Sequence, residues 1–219
     1  MYNRSLIGCC LVSIAFIQCT HYSPGTFAYD LHFLQKQDSA LVLLRQGKAE
    51  VVVSPKYQGK VFTSTAGGDD GISYGWIHYK AFSGPVDPHM NAFGGENRLW
   101  MGPEGGRYSL FFPAGTKMEF ANWKTPAAFD TEPWEVKGQT DSGVTVEKEM
   151  LLTNYAGAPI QLVIDRYIRV LARSAIDSRL ELTPDTSVQA VGYTTLNEMT
   201  NTGSNTWTAT TGMPCMWSQ

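Results

Sequence analysis

Cysteine is scarce in this chain of 219 residues: there are four, and Cys9, Cys10 and Cys19 fall within the first nineteen positions. With that segment removed only Cys215 remains, which excludes an intrachain disulfide and zinc sites built from cysteine pairs. Cationic excess is missing as well. The formal net charge is −3, and Arg166, Arg169, Arg173 and Arg179 are interleaved with Asp165, Asp177 and Glu181. Without a basic stripe to neutralise phosphates, no nucleic-acid partner is expected. No GxSxG elbow, HExxH pair or P-loop occurs. Gly94-Gly95 is not followed by a helix with phosphate-binding spacing, so neither a nucleotide nor any other cofactor is expected. Past residue 40 no helix-period segment is long enough for a crossover unit, which disfavours parallel βαβ folds. There is no internal repeat and no low-complexity segment.

What is present describes an ordinary globular protein, with 43% hydrophobic and 17% charged residues. The length allows one sizeable core. Residues 1–19 read as an export signal. Arg4 supplies the positive start, and Leu6 to Ile17 is apolar and uncharged. That run is short of the about 20 residues a spanning helix needs. It ends at Cys19, the layout of a lipoprotein signal in which the cysteine becomes the lipidated first residue. An unlipidated export signal is the alternative, since Gln18 is bulkier than the small residue expected before such a cysteine. The expected location is therefore the cell envelope, with a lipid anchor as the membrane contact. Residues 20–219 then form a single domain.

In chain order, Thr26 is a helix N-cap. Phe27, Leu31 and Leu34 recur at helical spacing, with Asp30 in the first turn where the dipole favours it. This predicts a short amphipathic helix ending near Gln37. From residue 40 the pattern turns to β. Leu41–Leu44, Glu50–Val53 and Gly59–Ser64 read as strands with tight turns between them. Ser73–Phe82 is aromatic-rich and reads as extended. Tyr108–Phe112 and Lys117–Phe120 read as short strands, and Ala121–Glu132 as a loop that exposes Trp123, Pro126 and Phe129. Trp134–Val136 pairs with Val144–Leu152. Val144, Val146, Met150 and Leu152 share one face, as do Leu162, Ile164, Ile168 and Val170, a face that Arg166 interrupts. Val188–Leu196 and Trp207–Thr210 complete the β pattern. About a dozen short strands with turn signals argue for an antiparallel β-sandwich. The chain stops directly after the apolar GMPCMW, from which a longer natural protein is expected.

The candidate site is Asp87 to Gly106, DPHMNAFGGENRLWMGPEGG. Its paired glycines permit tight turns and close backbone approach. Glu96, Asn97, Arg98, Trp100 and Glu104 offer donors, acceptors and a flat aromatic face. Those groups suit a sugar, whose CH face stacks on indole while its hydroxyls bridge charged groups. The alternative is a surface loop whose charges pair with one another. His78, His89 and Arg107 flank it. Glu96 and Glu104 could also serve as the two carboxyls of a glycosidase, and Asp69, Asp70, Asp87 and His89 could hold a hard cation. Acidic loop residues are more often simply solvated, and no metal is expected. The sequence is silent on oligomeric state.

The run AEVVVSPKYQGKVFTSTAGG at 49–68 resembles the opening of galactose mutarotase-like (aldose 1-epimerase superfamily) proteins. GGENRLWMGPEGG at 94–106 resembles the Asn-Arg-containing loop that follows there. Together with EVKGQTDSGVTVEKEMLLTNYAG and GYTTLNEMTNTG, these segments are similar to an uncharacterised family of exported Bacteroidetes proteins, a domain of unknown function. The resemblance runs from about residue 27 to the end and resembles the first half of such a protein. It implies a β-supersandwich with a concave, carbohydrate-binding face, incomplete in this chain. It also implies a substrate-contact role for Asn97 and Arg98. Mutarotases work through a histidine acid and a glutamate base. On this chain that pair would be His89 and Glu104, although neither His78 nor His89 sits in a mutarotase-like motif. The leading expectation is an exported carbohydrate-binding protein with Glu96, Asn97, Arg98, Trp100, Arg107 and His78 as ligand contacts. A sugar mutarotase or epimerase and a structural envelope lipoprotein without a small ligand are the alternatives.

Overall fold

The computed structural model describes residues 22–181, 185 and 187–219. The export signal at 1–19 and its Cys19 lie outside the described residues. In chain order the elements are α1 (Phe27–Gln37), β1 (Val42–Gln46), β2 (Ala49–Ser54), β3 (Lys60–Thr65), β4 (Leu99–Gly102), β5 (Glu135–Gln139), β6 (Gly143–Thr153), β7 (Pro159–Val170), α2 (Arg173–Leu180), β8 (Tyr193–Asn201) and β9 (Cys215–Ser218). The protein is mainly β, with every strand pair antiparallel.

Helix α1 matches its predicted span. The Thr26 hydroxyl accepts from the Tyr29 amide at 3.4 Å, and Phe27, Leu31 and Leu34 are buried. These side chains lie on one face of the sheet β1-β2-β3, where they meet Val52, Tyr57, Phe62 and Ile77. The opposite face of the same sheet sends Val42, Leu44, Val51, Val53 and Val61 into a second, larger core. Because both faces are covered, β2 and β3 are buried along their whole length. This explains a run such as Val51-Val52-Val53, whose side chains alternate between two apolar layers rather than between core and water.

The second sheet is the meander β5-β6-β7-β8. Its inner face carries Val144, Val146, Met150 and Leu152 from β6, and Ile160, Leu162, Ile164, Ile168 and Val170 from β7. These are the faces that alternation assigned, and they close the larger core against the first sheet. The register sets Val146 opposite Arg166 and Met150 opposite Leu162. Two further strands, β4 and β9, pair with Trp100 opposite Trp217, so the apolar run at 212–217 has a place beside β4.

Several sequence expectations are corrected. Ser73–Phe82 is not a strand but a path with one bridge at Ile77, ending in a 3-10 turn at Tyr79–Ser83. Tyr108–Phe112 and Lys117–Phe120 form no ladder. Leu110, Phe111 and Phe112 are buried, while the Leu110 amide donates to the Pro103 carbonyl and that of Phe111 to the Ser109 hydroxyl. Burial in the core, rather than ladder pairing, accounts for the apolar pattern there. Phe129 is fully buried rather than exposed. Strand β8 begins at Tyr193, not Val188, and Trp207–Thr210 yields a single bridge between Thr208 and Gly212. Helix α2, supported by the Arg173–Asp177 ion pair at 2.7 Å, was not foreseen. Among the described residues there are nine strands rather than about a dozen, and no helix is long and apolar enough to cross a membrane.

Candidate functional site

The turn before β3 brings the two sheets together. Gln58 and Gly59 both adopt left-handed backbone, with φ of 61° and 62°. A Cβ at Gly59 would stand 2.6 Å from the Val146 side chain, so glycine is what lets the turn sit against β6. The Gly59 carbonyl accepts from Arg166 Nε at 3.0 Å. Arg166 is fully buried on the inner face of β7. Its two terminal nitrogens each donate once, Nη1 to the Asn197 side-chain oxygen at 2.7 Å and Nη2 to that of Asn97. Burial lowers its pKa to about 10, which leaves it cationic at neutral pH. A buried cation without a carboxylate partner is held here by directed hydrogen bonds from three separate segments.

The loop 94–98 is anchored to β3. The Glu96 amide donates to the Val61 carbonyl at 2.8 Å, and Gly95 donates to the Trp76 carbonyl at 2.8 Å. The Glu96 carboxylate accepts from the Ser64 amide at 2.7 Å and hydroxyl at 2.9 Å. Burial raises its pKa, and these donors oppose the rise. Arg98 pairs with Asp130 at 2.8 Å and donates to the Phe129 carbonyl at 2.9 Å. Its guanidinium stands 4.4 Å from the Trp100 ring centroid. Asp130 also receives Asn91 Nδ2 at 2.7 Å.

Lys60 differs from these paired groups. The residue is 3% exposed, yet among the described residues its ammonium has neither a hydrogen bond nor an ion pair. Its nearest aromatic neighbours are the Phe62 and Phe93 rings, with centroids at 5.4 and 5.9 Å. Burial, reinforced by the Arg98 charge and opposed by Asp130, pushes its pKa down to about 7.

These groups surround a cleft of about 270 Å³ whose lining includes Lys60, Trp76, Met90, Glu96, Asn97 and Arg98. Trp76 forms an exposed wall, 65% accessible, with the His78 ring stacked on it at 5.5 Å and 20°. His78 Nδ1 lies 3.0 Å from the Ala92 carbonyl. Gly94 passes beneath the tryptophan at φ +82°, where a Cβ would approach the Trp76 carbonyl to 2.2 Å. An indole face beside a carboxylate, an amide and an amine can hold the CH face of a sugar ring while satisfying its hydroxyls.

Glu96, Asn97 and Arg98 thus line one cleft, and His78 braces its wall. Trp100 does not. It is 2% exposed, packed by Phe111 and Phe129, with Nε1 donating to Glu104 Oε1 at 2.7 Å. The indole expected to meet a ligand is a core side chain, and Glu104 is the acceptor for its buried N–H. His89 stands apart, stacked on Phe120 at 4.3 Å, with Nδ1 2.5 Å from the Trp123 carbonyl. Among the described residues no hydrogen bond joins His89 to Glu104. Arg107 lies over Tyr108 at 5.4 Å, outside the cleft lining. Asp87 accepts from the His89 and Met90 amides, and among the described residues no group of three His, Cys, Asp or Glu side chains gathers to hold a metal. Sequence reading missed Lys60 and Trp76. A lysine opening an apolar strand and a tryptophan in the aromatic-rich stretch SYGWIHYKAF were the available signals.

Residues 25–219 match the model of a family described as a family of unknown function (DUF6786), in keeping with the expected uncharacterised domain. No curated protein and no solved structure matches the chain.

Proposed function

The chain belongs to that family, and we propose that it is an exported carbohydrate-binding protein whose cleft beside Trp76 receives a sugar ring. The observation that carries this reading is an indole 65% exposed at the wall of a cleft lined by Lys60, Glu96, Asn97 and Arg98. Large aromatic side chains left this open beside convergent polar groups are characteristic of ligand sites. The volume of about 270 Å³ lies just below the ~300 Å³ at which sites for drug-sized ligands begin, a scale suited to one ring rather than a long chain. Two antiparallel sheets closing one core fit the sandwich of the mutarotase-like proteins that 49–68 and 94–106 resemble. Lipidation at Cys19 would hold the protein at the cell envelope, where it would meet extracellular sugars.

A thermal melt of the purified protein against a panel of monosaccharides tests the reading. A ligand at a hundred times its dissociation constant adds about 2.7 kcal/mol of stability. One sugar class is expected to raise the midpoint for the wild type and not for Trp76→Ala. A panel that leaves the wild-type midpoint unmoved overturns it.

A further inference from the structure

Within that sugar-binding reading, on which this inference rests, Lys60 is a charged cleft side chain that has neither a hydrogen bond nor an ion pair among the described residues. Arg98 has Asp130, Arg166 has three oxygen acceptors, and Glu96 has the Ser64 amide and hydroxyl. The Lys60 side chain is buried to 3% exposure, its stem pressed by Gly95, where a Cβ would come within 2.9 Å of Lys60 Cδ. The ammonium itself keeps some contact with solvent, and a cation so poorly hydrated gains from an acceptor. Because Lys60 also lines the cleft, the missing acceptor can arrive from outside.

The charge around the cleft specifies which acceptor. Arg98 is matched by Asp130 and Glu96 is held by Ser64, which leaves the Lys60 ammonium without an ion-pair partner among the described residues. A carboxylate supplies that partner. A phosphate monoester brings close to two charges at neutral pH and would over-compensate beside the Glu96 carboxylate. We propose that the cleft takes an acidic sugar of the uronate type, with its carboxylate on the Lys60 ammonium and its ring against Trp76. Glu96, already fixed by Ser64, then accepts from a ring hydroxyl. Charge-assisted N–H···O bonds of this kind are about twice as strong as neutral ones, so the acid is favoured over the matched neutral hexose.

The test is isothermal titration of the wild-type protein with glucuronate, galacturonate, glucose, galactose and galactose 1-phosphate, repeated with Lys60→Met. Uronates are expected to bind the wild type at least about tenfold tighter than their neutral counterparts, and the preference is expected to vanish in Lys60→Met. Neutral hexoses binding as tightly as uronates would overturn the acidic-sugar inference and leave the sugar-binding reading standing. Preference for the sugar phosphate would overturn the carboxylate assignment. A folded Lys60→Met that keeps the uronate preference would overturn the role of Lys60. Absence of binding by any of the sugars would overturn the inference together with the reading beneath it. Should Lys60→Met fail to fold, the wild-type ratio of uronate to hexose affinity decides alone.

Discussion

Arg166 Nε donates to the Gly59 carbonyl at 3.0 Å across 107 positions of sequence. That bond ties the inner face of the four-stranded sheet to the turn opening β3, directly behind the cleft. The same guanidinium holds Asn97 of the cleft loop and Asn197 of β8. One fully buried side chain therefore fixes the position of three segments.

Arg166→Met keeps most of the volume but removes every donor, leaving three acceptors unsatisfied. Each such group costs about 1–3 kcal/mol, so a loss of at least about 3 kcal/mol is expected in urea denaturation. A loss under about 1 kcal/mol would mean that water replaces the guanidinium and that the sheets do not depend on it.

Trp100→Phe separates structure from binding. Losing the indole N–H removes its bond to the solvent-exposed Glu104 carboxylate and opens a small void against Phe111 and Phe129, for about 1–3 kcal/mol in stability, most of it from the void. Sugar affinity is expected to stay within about twofold, well under the 1.4 kcal/mol of a tenfold change. An affinity loss at unchanged stability would place the Trp100 ring against the ligand after all.

Lys60 gives the protein a pH signature. Its pKa is lowered from 10.5 to about 7 in the folded state. The groups facing it are the Arg98 guanidinium, the Asp130 and Glu96 carboxylates and the Phe62 and Phe93 rings. Below pH 7 both folded and unfolded states hold the proton, and the penalty for burying the charge is fully present. Between about 7 and 10.5 the unfolded chain binds more protons, so stability rises with pH, by up to about 1.4 kcal/mol per unit. Denaturant midpoints of the wild type and Lys60→Met, followed from pH 6 to pH 9, are expected to converge as pH rises. Parallel curves would show that the folded-state amine titrates normally.

Local pattern settled much of the architecture. Helix α1, with its Thr26 cap, and strands β1, β2, β3, β6 and β7 were legible because period and turn residues act over a few positions. The loop at 94–98 was legible too, through its paired glycines and dense polar groups. Arg166 was visible as an interruption of an apolar face, but its acceptors lie on a distant turn, loop and strand. No sequence window contains them. Which indole is buried was likewise undetermined locally: Trp100 enters the core because β4 pairs with β9 and packs on Phe129, while Trp76 is left open beside the Gly94 crossing. The amphipathic faces were thus determined by the sequence itself. The tertiary structure alone decided which charges are paired and that Lys60, unpaired among the described residues, opens onto a cleft, because pairing depends on segments brought together only when the two sheets close on one core.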